Sequence, residues 1–155
     1  NFLKILDKLN YKNNIFVHRD FHVSNLMDHK NDISIIDSQD AVYGNIAYDL
    51  ASLIDDVRFK TTDKEKKEIL NYYKKKNKKL NFMKLQNDLE ILSVLRNLKI
   101  IGIFTRLSVR DKKDNYLKLI PYAWKLIELR IKNNNNLYQL KMILDQYFPK
   151  KKENI

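Results

Sequence analysis

The sequence predicts an α+β fold, mostly helical, in which a small β-hairpin carries a polar loop. Three observations predict it. Apolar residues recur at helical spacing through most of the chain, as in Ile46, Leu50, Leu53, Ile54 and Val57. Short strand-like runs, Ile15-Phe16-Val17 and Ile33-Ser34-Ile35-Ile36, sit on either side of a polar cluster, His18-Arg19-Asp20-Phe21-His22-Val23-Ser24-Asn25. And 155 residues of which 44% are hydrophobic suffice for one domain with a real core.

Residues 1–9 read as a short amphipathic helix through Phe2, Ile5, Leu6 and Leu9, broken by Asn10-Tyr11-Lys12-Asn13-Asn14. It opens at Asn1 without a preceding cap, so further residues are expected upstream. A strand over 15–17 leads into the polar loop. Leu26-Met27-Asp28 then pairs with Ser34-Ile35-Ile36 across a turn at His29-Lys30-Asn31-Asp32. After Gly44 a helix runs through Asp56-Val57-Arg58, with Asp49, Ser52 and Asp56 on its polar face. Thr62 and Glu65 start the next helix, which reaches Lys76, and Asn81 caps a long one through Val109 that Gly102 interrupts. Its second half is apolar nearly all round and should be central to the core. Pro121 kinks the helix over 116–131 or begins a second segment, and a last helix spans 137–147. The lobe is expected over 1–148, with a basic, disordered tail over 149–155.

The chain has no cysteine, which excludes disulfides and thiolate metal sites and agrees with a reducing, cytoplasmic setting. No apolar run approaches the roughly 20 residues of a membrane span, and no membrane partner is expected. The net charge of +11 comes mostly from lysines scattered among asparagines. Lys74-Lys75-Lys76-Asn77-Lys78-Lys79 has no aromatic residues for base stacking, so solvated faces explain it better than a nucleic-acid stripe. Such a surface attracts anions, nucleotides among them.

The polar cluster carries the chemistry. Asp20, Asn25 five residues on and Asp37 twelve beyond that are what phosphoryl transfer from a magnesium nucleotide requires. One acid holds the acceptor hydroxyl and receives its proton, while the amide and the second acid offer oxygen ligands to Mg²⁺. A solvated loop acid is the plainer reading of Asp20 alone. The joint spacing of His18, Asp20, Asn25 and Asp37 outweighs it. The three histidines lack the spacing of a zinc site, and His29 falls in the turn, where it is inert.

His18-Arg19-Asp20-Phe21-His22-Val23-Ser24-Asn25, Ile36-Asp37-Ser38-Gln39-Asp40-Ala41, Gly44 and Tyr48-Asp49-Leu50-Ala51-Ser52-Leu53 together resemble the aminoglycoside phosphotransferase and choline kinase superfamily. Protein kinases are less similar, because Asp37-Ser38-Gln39 replaces their D-F-G run. Asp37 to Ala41, the run from Leu98 to Leu107, and Arg110-Asp111 look most like the bacterial anomeric kinases of N-acetylmuramate and N-acetylglucosamine. The resemblance covers about residues 15–126. It implies the C-terminal lobe of a protein-kinase-like fold, with ATP, or alternatively GTP, and Mg²⁺ as cofactors and an amino sugar of cell-wall recycling as acceptor.

By this resemblance Asp20 is the catalytic base, Asn25 and Asp37 are the Mg²⁺ ligands, and Asp49 braces the backbone of the catalytic loop. A simple helix-face acid is the rival reading of Asp49. His18 orients the loop, and His22 and Ser24 lie where donors to phosphates are useful. Asp40, Arg106 and Arg110 are candidates for acceptor binding, since a guanidinium fork suits a lactyl carboxylate. Arg96 and Lys99, on the same helical face, read as solvent-facing. Nothing in the chain supplies the upper lobe with its phosphate-covering loop and lysine, which is expected in cis; the chain alone is expected to be inactive. An aminoglycoside or choline-type phosphotransferase is the alternative enzyme, although the many Lys and Arg residues of the C-terminal helices argue against a cationic acceptor. A non-catalytic remnant is the other alternative.

Overall fold

The computed structural model describes residues 2–30 and 32–149, and the side chains of Phe2 and Leu3 lie outside the described set. The elements in chain order are α1 (Phe2–Leu6), β1 (Ile15–Val17), β2 (Leu26–His29), β3 (Asp32–Ile35), β4 (Val42–Gly44), α2 (Tyr48–Ile54), α3 (Asp63–Lys76), α4 (Phe82–Asp111), α5 (Ile120–Lys132) and α6 (Tyr138–Tyr147). Short 3₁₀ turns fall at Val23–Asn25, Asp114–Leu119 and Asn135–Leu137. The chain divides into two compact units, residues 9–89 and residues 1–8 with 90–155. No described helix is long and apolar enough to cross a membrane. The tail expected over 149–155 lies outside the described residues except for Pro149.

In the first unit every strand belongs to a two-stranded antiparallel sheet, β1 with β4 and β2 with β3. The β2–β3 hairpin pairs Leu26 with Ile35 and Asp28 with Ile33. That is one residue tighter than the expected pairing with Ser34-Ile35-Ile36. The expected turn residues His29 and Asp32 are the last rung of the ladder, and Asn31 lies outside the described residues. One more backbone bond, from Ile36 N–H to the Asn25 carbonyl at 3.1 Å, extends the pairing into the polar loop. Sequence periodicity does not announce β4. It forms because Gly44 lets the strand lie against β1: a Cβ there would stand 2.9 Å from Cγ2 of Val17.

Helix α2 stops at Ile54, short of the expected Arg58. Asp55, at φ −118° and ψ 40°, leaves helical geometry, and its carboxylate accepts a 2.6 Å bond from Lys66 Nζ of α3, which also donates to the Ile54 carbonyl. Ser52 and Asp56, expected on a polar face, are both buried. Thr62 caps α3 in a full capping box, its hydroxyl accepting from Glu65 N–H while the Glu65 carboxylate takes the Thr62 N–H. Hydrogen bonds from Thr62 hold the Glu65 carboxyl below its usual range. Asn81 Oδ1 accepts from Lys84 N–H and caps α4 in the same way.

Helix α4 runs unbroken for 30 residues, straight through Gly102. A helix-interior glycine costs only about 1 kcal/mol against alanine, too little to break a helix whose face is packed. Arg96, expected at the solvent face, is 6% exposed. Around it Ile91, Leu92, Ser93, Val94 and Asn97 are all buried, so this stretch has no solvent face; over 98–107 only Ile100 and Phe104 are buried and Gly102, Thr105 and Arg106 are exposed, so the expected core-central second half is confined to about residues 91–97. Lys99 is exposed. The second unit has buried apolar residues of its own, among them Phe104, Leu126, Ile127, Leu137, Leu140 and Leu144. Pro121 sits in the first turn of α5, where its missing N–H costs nothing, so it begins a segment and kinks none.

Candidate active site

The site is assembled on the first unit from the end of β1, the loop after it, the hairpin and the first turn of α2. His18 is buried, its ring edge-on to Phe21 with centroids 6.2 Å apart. Its Nε2 lies 2.9 Å from the Ile36 carbonyl. A carbonyl only accepts, so Nε2 carries the proton and the imidazole ties the loop to the residue before Asp37.

Asp49 makes the other tie. Its Oδ2 accepts the His18 N–H at 2.7 Å and its Oδ1 the Arg19 N–H at 3.0 Å. Both carboxylate oxygens thus serve successive backbone donors just before Asp20. An apolar-walled cleft of 370 Å³ opens beside this carboxylate, lined by Phe16, Phe21, Ile46, Leu53 and Tyr73 among others, and the low local dielectric strengthens such bonds. Burial first, and then the nearby Asp49 carboxylate, raise the Tyr73 phenol above its ordinary value.

Two loop residues take left-handed backbone conformations, Arg19 at φ 75° and Asp37 at φ 68°. For a bulky arginine this is an uncommon, strained geometry that surrounding structure must enforce. The bonds to Asp49 enforce it on one side. On the other, Arg19 Nη1 donates to the Asp40 carbonyl at 3.2 Å, so Asp40 enters the site by its backbone.

Asp20 is exposed at the head of the loop. Its carbonyl accepts the His22 N–H at 3.0 Å and the Asn25 Nδ2 at 2.9 Å. With its amide nitrogen committed there, Asn25 keeps Oδ1 for another partner, and its own carbonyl accepts the Ile36 N–H. Asn25 and Asp37 are therefore one bonded rung plus one residue apart. Asp37 Oδ1 accepts from Gln39 Nε2 at 2.7 Å. An amide oxygen and a carboxylate are hard donors of the kind Mg²⁺ takes, and a magnesium ion on donor phosphates usually has only one or two protein ligands. Among the described residues no group of three His, Cys, Asp or Glu side chains could hold a metal by itself. His22 is buried at the start of the 3₁₀ turn, and Ser24 is exposed within it.

Arg106 and Arg110 belong to the second unit, both exposed on α4. Arg110 is held in a two-pronged contact with Asp111, at 2.6 and 2.9 Å, which raises its own pKa and lowers that of the acid. Arg106 lines a groove between α4 and α5.

Sequence reasoning missed a second carboxylate behind the loop. Asp88, fully buried, accepts from Asn10 N–H and Nδ2, Tyr11 N–H and Asn45 Nδ2, all at 2.8 to 2.9 Å. Burial alone would raise its pKa, but these donors outweigh it and hold the carboxyl below its ordinary value. Asn45 Oδ1 in turn accepts the Ala47 N–H at the start of α2. The available signal was an acid inside the apolar stripe of Leu85, Leu89 and Leu92. Arg19 and Gln39 were also missed; the i, i+2 spacing of Gln39 to Asp37 was the clue to the latter.

Residues 1–84 match the phosphotransferase enzyme family. Several curated proteins are similar, each named N-acetylmuramate/N-acetylglucosamine kinase. The one from Neisseria meningitidis serogroup B is 37% identical over 69% of this chain and 34% of its own length. Those from Caulobacter vibrioides and Pseudomonas aeruginosa are each 31% identical, over 87% and 84% of this chain and 38% and 40% of their own. The chain thus spans between a third and two-fifths of the length of these relatives. With its mostly helical build and two small antiparallel sheets, it has the architecture of the C-terminal lobe of the kinase-like fold, and it belongs to the phosphotransferase enzyme family.

Proposed function

We propose that this chain is the catalytic-loop lobe of a small-molecule kinase that moves the terminal phosphoryl group of ATP, or of GTP, to a sugar hydroxyl. The acceptor in this reading is the anomeric hydroxyl of N-acetylmuramate or N-acetylglucosamine, the sugars named for the similar proteins. The observation that supports it is the bonded path from the Asp20 carbonyl through Asn25 to Ile36, the residue before Asp37, which sets these three positions at one end of the hairpin.

Asp20 accepts the proton of the acceptor hydroxyl as its oxygen attacks the γ-phosphorus. The bond from that phosphorus to the bridging oxygen breaks, and the nucleoside diphosphate leaves with the electron pair. Asn25 and Asp37 would hold Mg²⁺, which supplies charge neutralisation on the donor phosphates when bound. Asp49 and His18 fix the loop, so that Asp20 is presented without having to be ordered in each cycle. His22 and Ser24 would donate to the phosphates. Asp40, Arg106 and Arg110 remain the proposed acceptor contacts, Arg106 for a lactyl carboxylate and Arg110 only if it exchanges Asp111 for the substrate. The reaction belongs to cell-wall sugar recycling in the cytoplasm, with the nucleotide-covering lobe acting in cis.

The test uses the enzyme carrying a nucleotide lobe. Asp20→Asn should lower turnover by roughly 10² to 10⁴ and leave nucleotide affinity nearly unchanged. Asp37→Ala should weaken Mg²⁺-nucleotide binding as well. Equal loss of nucleotide affinity in both variants contradicts this division of roles. Phosphorylation of an aminoglycoside but of neither amino sugar overturns the acceptor class, and binding without any turnover favours a non-catalytic remnant.

A further inference from the structure

The residue before Asp37 is tied twice, the Ile36 carbonyl to His18 Nε2 and the Ile36 N–H to the Asn25 carbonyl. Asp37 then takes a left-handed φ of 68°, which aspartate tolerates better than most residues. The chain turns sharply after it. The Ala41 N–H closes the turn on the Ser38 carbonyl at 3.0 Å, with Gln39 and Asp40 as the two central residues. Arg19, in its own left-handed conformation, holds this turn from outside through the Asp40 carbonyl. Gln39 is therefore presented on a braced turn, and its Nε2 stands 2.7 Å from Asp37 Oδ1. A carboxylate oxygen only accepts, so the amide nitrogen is the atom that faces it. Asp37 Oδ2 takes no hydrogen bond from the described residues. The two oxygens of one exposed acid thus differ, one held and the other free.

We propose that Gln39 is a positioning residue that makes Asp37 a one-oxygen ligand and so biases the site toward Mg²⁺ over Ca²⁺. The inference rests on the reading of Asp37 as a ligand of the nucleotide-bound cation. Mg²⁺ demands a near-ideal octahedron, into which the narrow bite of a single carboxylate fits poorly, whereas the larger Ca²⁺ readily takes both oxygens of one acid. A contact through Oδ2 alone leaves the Gln39 bond in place. A contact through both oxygens has to break it, and a hydrogen bond to a charged acceptor is worth about tenfold in affinity. That difference falls on Ca²⁺ and spares Mg²⁺. Glutamine suits the position where glutamate does not, because a second carboxylate there would repel Oδ1 instead of donating to it.

The experiment is isothermal titration of a non-hydrolysable ATP analogue into the enzyme carrying a nucleotide lobe, once with saturating Mg²⁺ and once with saturating Ca²⁺. The wild type should bind the Mg²⁺ form more tightly. In Gln39→Leu, which keeps the bulk of the side chain and removes its donor, the Ca²⁺ form should bind about tenfold more tightly than it does to the wild type, the worth of the bond no longer broken. The Mg²⁺ form should gain nothing. Gln39→Ala should give the same change without an added apolar side chain, and melting temperatures should stay as they are, because Gln39 is exposed. A gain confined to one metal distinguishes positioning from a structural role, since a loosened site weakens both. Asp37→Ala tests the reading underneath: it should weaken both forms. No change in Asp37→Ala overturns the ligand assignment and this inference with it. Loss in Asp37→Ala together with an unaltered ratio of Mg²⁺ to Ca²⁺ affinities in the two Gln39 variants, or with equal weakening of both forms there, overturns the inference alone.

Discussion

Two buried or half-buried carboxylates act as anchors: Asp49 ties the loop at His18 and Arg19, and Asp88 ties Asn10 and Tyr11, ahead of β1, to Asn45. Removing Asp49 strands the His18 and Arg19 N–H groups, and bonds to a charged acceptor are worth about 1.5–3 kcal/mol each. Asp49→Ala should therefore cost about 2 to 4 kcal/mol in urea unfolding, while Asp49→Asn, which keeps one acceptor oxygen, should cost clearly less. For Asp88 the sign of the pH dependence follows from its lowered folded pKa. The stability it supplies is complete above the ordinary carboxylate value of about 4 and is lost as pH falls through the lower folded value. The gap in urea midpoint between the wild type and Asp88→Asn should be constant near neutrality and close below about pH 4. A gap that widens on acidification would contradict the assignment. The proposed base, amide and second acid could be singled out in the sequence because Asp20, Asn25 and Asp37 form a short-range pattern. Asp88 was not, because its partners Asn10 and Tyr11 lie 78 and 77 residues away and no spacing rule reaches that far.

At the level of elements, local signals did well. Thr62 with Glu65, and Asn81 with Lys84, cap the helices where their chemistry said they should, since a cap needs only residues within one turn. The end of α2 and the strand β4 were illegible for the opposite reason. The first is set by the Asp55–Lys66 contact between helices, the second by what Gly44 meets on β1. Gly102 misled because a helix-breaking tendency was weighed without the packing of 30 residues against it. That gives a direct test: Gly102→Ala touches nothing and should stabilise the chain by about 0.5–1 kcal/mol, read as a raised unfolding midpoint with an unchanged slope. A lower midpoint would mean that the backbone at Gly102 is not helical in solution.

On the scale of the whole molecule, a net charge of +11 sets how the chain meets small anions. Long-range attraction is screened within about 8 Å at physiological ionic strength. Affinity for a nucleotide should therefore fall between low and high salt in the wild type, and isothermal titration at two ionic strengths reads the effect directly. The two pairs of strands have a different consequence. Among the described residues each sheet has two strands, so each strand leaves one backbone edge without a partner strand there, and the hairpin exposes Met27, Ile33 and Ile35 to solvent. Open edges beside apolar side chains are templates for pairing between molecules. The concentration at which this chain clouds will be governed by the hairpin rather than by its helical core, and Ile33→Lys, which places a charge on β3 without touching the core, should raise that limit in a light-scattering measurement.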